Sequence, residues 1–163
     1  MFAMNSMAQE KIEWMSWTEA INKNAVEEKV IFVDVYTNWC GWCKKMDAST
    51  FKDPRIVDYM NEHYYAVKFN AETRDTIPFN GQNFVNENTG KRGPHQLGVA
   101  LLDGRMSYPS YAFIGKPWDK TVVPGYMGVK DFSCVLKYFV EGAPVGKTYD
   151  EFKSNGCAVA SAD

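Results

Sequence analysis

The run Val30–Thr37, VIFVDVYT, leads straight into the stretch Thr37–Lys45, TNWCGWCKK. A β-branched and aromatic run of this kind predicts a central strand. The two cysteines that follow, Cys40 and Cys43, then fall at a strand-to-helix junction, with a helix predicted over Cys40–Phe51. At such a helix N-terminus, free backbone N–H groups and the positive end of the helix dipole favour a thiolate, which makes Cys40 a nucleophile near neutral pH. Cys43 lies about one turn further on the same face. It is placed to attack a mixed disulfide formed at Cys40 and release the partner, the second half of a thiol–disulfide exchange. Gly41 is expected to keep the loop tight, and Lys44 and Lys45 add local positive charge.

Around this junction the chain alternates between strand and helix patterns, which predicts an α/β fold with a mixed sheet and helices on its faces. A short strand is expected over Lys11–Met15, and Ser16 with Glu19 forms a capping box for the next helix. Asp53-Pro54 opens another helix, and YAVKFNAE (Tyr65–Glu72) reads as a second central strand. In IPFNGQNF, Asn80-Gly81 signals a type I′ hairpin. GPHQLGVALL is expected to start a helix with Pro94 at its first position, and SYPSYAFIG and TVVPGYMG read as two further strands. VKDFSCVLKYFV (Val129–Val140) has the spacing of an amphipathic helix. The expected organisation is a start at 1–10 that is flexible or the remnant of a signal peptide, a domain over 11–142 with an insertion at 73–107, and a C-terminal tail at 143–163 in which Thr148–Asn155 has helical character and the end is loose.

Composition excludes several classes. Aromatics make up 15% of the 163 residues and hydrophobics 45%, the profile of a folded domain. The net charge of -2 argues against a nucleic-acid partner, which needs a concentrated positive face. No apolar run is long enough to span a membrane. There is no Gly-rich phosphate loop and no sign of an organic cofactor. A zinc site would need two ligands besides Cys40 and Cys43. The candidates His63, His95, Cys134 and Cys157 are not paired at ligand spacing, so no metal is expected, and the histidines read as surface or packing residues. Cys134 falls in an apolar helix and reads as a small buried hydrophobe. A Cys134–Cys157 disulfide has only the even cysteine count in its favour.

VIFVDVYTNWCGWCKKM, followed by YAVKFNAE, SYPSYAFIG and VVPGYMG, resembles the thioredoxin family across roughly Ile12–Val140. The resemblance implies a thioredoxin fold, with the hairpin as an insertion before the cis-proline strand. It implies that Cys40 attacks and Cys43 resolves. Asp34 then matches a buried aspartate that takes the resolving thiol's proton, and Lys68 the lysine beside it. Pro109 matches the cis-proline, and Tyr108 offers backbone to a substrate peptide. Trp39, Gly41, Trp42, Tyr108 and Pro109 together would line the substrate site, with the inserted hairpin near enough in sequence to the proline loop to bear on substrate choice. The Gly41-Trp42 dipeptide, the insertion and the added termini resemble the exported, thioredoxin_7-type bacterial proteins more than cytosolic thioredoxin.

The expected activity is reduction or isomerisation of protein disulfides, with the Cys40–Cys43 pair as the redox group and no other cofactor. A non-enzymatic peptide-binding module is the alternative. Disulfide-containing proteins and a redox donor protein are the expected partners of a monomer in the periplasm or another extracytoplasmic space, with the cytoplasm as the alternative. Ser6-Met7-Ala8, in the small-x-small form of a signal-peptidase site, bears on that placement.

Overall fold

The strand β2 (Val30–Tyr36) is the hub of the computed structural model, which describes residues 11–90, 92–116 and 118–157. Its interior residues are all buried, as both faces of the sheet are covered. β2 pairs in parallel with β3 (Tyr64–Asn70), which pairs in parallel with the two-residue β1 (Trp14–Met15). On its other side β2 runs antiparallel to β6 (Ser110–Ile114), and β6 antiparallel to β7 (Lys120–Pro124). The five-stranded mixed sheet therefore has the order β1-β3-β2-β6-β7, with the sequence-central strand in the middle. β1 is shorter than the Lys11–Met15 strand expected from sequence.

Alternation along β2 divides the core in two. Phe32 points to a layer shared by Met46, Phe51, Ile56, Tyr111 and Phe132, under α2 (Gly41–Ala48), α3 (Pro54–His63) and α5 (Val129–Lys137). Ile31, Val33 and Val35 point to the opposite layer, under α1 (Trp17–Val26) and α4 (Gln96–Leu101). Local signals position these helices. The Ser16–Glu19 capping box is formed at α1, and Asp53 caps α3 with Pro54 in its first turn.

β4 (Ile77–Phe79) and β5 (Gln82–Phe84) form the hairpin, and both turn residues, Asn80 (φ 51°) and Gly81 (φ 76°), have the positive φ that a type I′ turn requires. Phe79 packs edge-on to Trp17 and Trp118 in the α1 and α4 layer.

Further expectations need correction. The helix after the cysteines is interrupted: α2 stops at Ala48, and a 3-10 turn spans Thr50–Lys52. Pro94 precedes α4 instead of opening it. The buried His95 is the cap, its Nδ1 accepting from the Leu97 N–H at 3.0 Å while its Nε2–H donates to the Asp75 carbonyl at 2.9 Å. The helix α5 ends at Lys137 and continues as a π-helical turn over Tyr138–Gly142. Cys134 is not a plain buried hydrophobe: it is disulfide-bonded to Cys157, which follows α6 (Tyr149–Ser154), the helix expected in the tail, with its Thr148–Glu151 capping box. Residues 1–10, on which the signal-peptide reading rests, lie outside the described residues.

Candidate active site

β2 ends at Tyr36, and the chain turns through Thr37 into the cap of α2. Cys40 is that cap: its Sγ accepts from the Cys43 backbone N–H at 3.1 Å. The two cysteines form a disulfide, with Cα atoms 5.3 Å apart, and both are nearly buried. The helix start therefore aims one backbone N–H, that of Cys43, at the sulfur of Cys40, an arrangement that favours a thiolate. Gly41 is not required by the turn: its φ is not positive, and a Cβ added there would meet nothing within 4 Å.

A charge cluster joins β2, β3 and α2. Asp34, on the middle of β2, is 1% exposed, and its Oδ2 lies 2.5 Å from Lys68 Nζ. Register explains the pairing, since Asp34 and Lys68 are direct partners in the parallel β2–β3 ladder. The Lys68 ammonium also contacts Asp47 and lies near the rings of Trp14, Tyr36 and Phe51. Asp47 is four residues after Cys43 on α2, so the two share a helix face. Burial pushes the Asp34 pKa up to about 6, against the pull of Lys68 and with a further push from Asp47. Burial works against the Lys68 charge, yet the two carboxylates outweigh it and its pKa is raised. Asp34 is thus poised to take or give a proton near neutral pH.

Two aromatic pairs flank the disulfide. Trp39, 48% exposed, meets Tyr108 edge-on at 5.9 Å and donates its Nε1–H to Glu72 at 2.6 Å. The Arg92 guanidinium lies over its ring at 4.6 Å. Trp42, 57% exposed, lies 5.4 Å from Tyr126, and Lys45 is set over both rings at 4.9 and 5.1 Å. Pro109 is buried behind a cis Tyr108–Pro109 bond, and its carbonyl accepts from the Gly125 N–H at 2.8 Å.

The structure thus joins Trp39 to Tyr108 and Asp34 to Lys68. Sequence reasoning missed Asp47, Tyr111, Tyr126, Glu72 and Arg92. The signal for Asp47 was its spacing from Cys43; the others depend on tertiary contacts. The hairpin's Phe79 packs on Trp17, while Glu72, just before the inserted stretch, and Arg92, within it, reach Trp39. A cavity of about 1170 Å³ sits at the far end of β2, against Val30, Phe113 and Phe139, and excludes both Cys40 and Cys43. Among the described residues no cluster of three or more His, Cys, Asp or Glu is placed to hold a metal, and no helix is long and apolar enough to cross a membrane.

Solved structures and curated relatives place this geometry. A DsbH oxidoreductase superposes with a TM-score of 0.60 at 16% identity, covering 87% of this chain and 93% of that one. A Bacteroides thetaiotaomicron protein, described only provisionally as a disulphide-isomerase, superposes with a TM-score of 0.57 at 27% identity, covering 83% and 98%. The fold is a thioredoxin fold. Mouse spermatogenesis-associated protein 20 is 30% identical over 102 residues, covering 62% of this chain and 13% of that protein. The chain therefore spans a small part of the relative's length. With the family's pattern matched over residues 3–130, this chain belongs to the Thioredox_DsbH family, described as a protein of unknown function, DUF255.

Proposed function

We propose that the domain is a thiol–disulfide oxidoreductase that reduces or isomerises disulfides in other proteins. The observation that supports it most is the Cys40–Cys43 disulfide at the start of α2, the helix whose Asp47 shares the Lys68 ammonium with the buried Asp34. In the reduced domain the Cys40 thiolate attacks a substrate disulfide, forming a mixed disulfide and releasing one substrate thiolate. Cys43 then loses its proton to Asp34 and attacks the Cys40 sulfur. The domain's disulfide closes, the second substrate thiol leaves, and two electrons have passed to the substrate. A donor dithiol protein returns them, and the couple itself is the redox group.

The flanking pairs Trp39/Tyr108 and Trp42/Tyr126 support a substrate held as an extended segment across Tyr108-Pro109. The second disulfide, Cys134–Cys157, supports an oxidising, extracytoplasmic setting. The resemblance to the provisional disulphide-isomerase supports reduction or isomerisation over disulfide formation.

A trapping experiment tests this. Cys43→Ala should accumulate mixed disulfides through Cys40 that dithiothreitol releases, while Cys40→Ala should accumulate none. Equal capture by both variants, or by neither, would remove Cys40 as nucleophile and leave a peptide-binding module as the better reading.

A further inference from the structure

Two buried polar atoms in the Asp34 layer have no hydrogen-bond partner among the described residues: Asp34 Oδ1 and the Tyr111 hydroxyl. They belong together by register. Asp34 and Tyr111 are direct partners in the antiparallel β2–β6 ladder, so their side chains leave the sheet on the same face, a few ångströms apart at their Cβ atoms. Tyr111 is fully buried among Phe32, Phe51 and Phe132. A phenylalanine would fill that apolar space equally well. Packing explains the ring, then, but not the hydroxyl, and leaving such a hydroxyl unpaired is unfavourable. One orphan is an O–H donor and the other a carboxylate acceptor.

We infer that Tyr111 is a positioning residue for Asp34: its O–H, directly or across one buried water, is donated to Asp34 Oδ1 when that carboxylate is charged. The role rests on the proposed function, in which Asp34 accepts the Cys43 proton. The charged and titratable groups around Asp34 leave Tyr111 as the donor for Oδ1. Lys68, from β3, occupies Oδ2. Asp47, from α2, is an anion and repels. Tyr126, from the loop between β7 and α5, is near enough to act on Tyr111, and its own hydroxyl pairs with Ser49. Burial first, and then the charges of Asp34 and Asp47, push the Tyr111 pKa far above its ordinary value. The phenol therefore keeps its proton throughout the cycle. It steadies the charged carboxylate without taking part in proton transfer, which stays between Cys43 and Asp34.

Tyr111→Phe removes the hydroxyl and keeps the ring. The Asp34 carboxyl is titrated by carbon NMR in the wild type and in the variant, beside the pH profile of the resolving step. Loss of a donor to the charged form should raise the Asp34 pKa by about one unit and move the acidic limb of the profile up by the same amount. A second reading needs no variant: the wild-type Tyr111 hydroxyl proton should move downfield as Asp34 ionises. An unchanged Asp34 titration in Tyr111→Phe, or a hydroxyl proton that ignores the ionisation, overturns the inference. The two readings can fail separately. A wild type that exchanges disulfides while Asp34 ignores Tyr111→Phe defeats this inference alone. A wild type without exchange, whose Asp34 still shifts, defeats the proposed function and leaves the hydrogen bond standing.

Discussion

Lys68 Nζ lies 2.5 Å from Asp34 Oδ2, and the same ammonium contacts Asp47 one helical turn beyond Cys43. One cation thus serves two carboxylates, one in the sheet and one on the helix that carries the cysteines. A single positive charge cannot compensate fully for burying Asp34 while a second anion stands close by. Desolvation wins at Asp34, and its pKa rises to about 6.

That shift fixes a pH dependence of stability. Asp34 starts from a model-compound value of 3.8, so between about 4 and 6 the folded state binds more protons than the unfolded state. Stability should therefore fall as pH rises through this window, by about 3 kcal/mol, and level off above it. Asp34→Asn should abolish this slope and, above pH 7, make the protein more stable than wild type, because Lys68 keeps Asp47. Urea unfolding of the oxidised protein from pH 4 to 8 checks both expectations. A stability that rises across that window would contradict them.

Lys68 and Asp47 should move Asp34 in opposite directions. Asp47→Asn removes a like charge and leaves Lys68 to Asp34 alone, so the Asp34 pKa should fall. Lys68→Met removes the compensating cation, so it should rise above 6. The pH profile of the resolving step, measured in single turnover, should follow with its acidic limb displaced down and up respectively. Shifts of the same sign in both variants would break the shared-cation description.

The two tryptophans beside the disulfide each have a cation stacked on them, Arg92 over Trp39 and Lys45 over Trp42. Neither cation has a carboxylate within 4 Å among the described residues. Disulfide peptides with acidic residues flanking the cysteine should therefore be reduced faster than basic ones. The combined change Arg92→Gln and Lys45→Gln should remove most of this preference, a few-fold to tenfold in kcat/KM at low salt. Equal loss for acidic and basic peptides would assign the cations to packing.

The Cys134–Cys157 bond ties α5 to the end of α6 across 23 residues of chain. Cys134→Ala with Cys157→Ala should lower stability by about 3 kcal/mol through release of loop-closure entropy. It should leave the Cys40–Cys43 midpoint where it was. Denaturant melts and thiol trapping on the same variant separate these outcomes.

What the sequence discloses about this domain is what local chemistry determines. The β-branched run of β2, the Ser16–Glu19 cap, the Asp53-Pro54 start and the Asn80-Gly81 turn each depend on a few neighbouring residues. So does the place of Cys40 at a helix start. Lys68 reaches Asp34 because β3 aligns with β2 in one register, and a slip of one residue would turn it to the other face. Asp47, Glu72 and Arg92 gain their partners only once the helix and the inserted stretch have packed. The Cys134–Cys157 bond was not legible because the path of the chain from Gly142 to Cys157 depends on the π-helical turn and the Thr148 cap.

Redox titration of the Cys40–Cys43 pair tests the central claim most directly. The protein is equilibrated in glutathione or dithiothreitol buffers and its free thiols are trapped, with Cys134→Ala and Cys157→Ala in place so that one couple is read. A reversible two-electron transition with a midpoint between about -270 and -180 mV, the range of reductases and isomerases, is the predicted result. A midpoint near about -120 mV would make the domain an oxidant. The absence of any reversible transition would contradict thiol–disulfide exchange altogether.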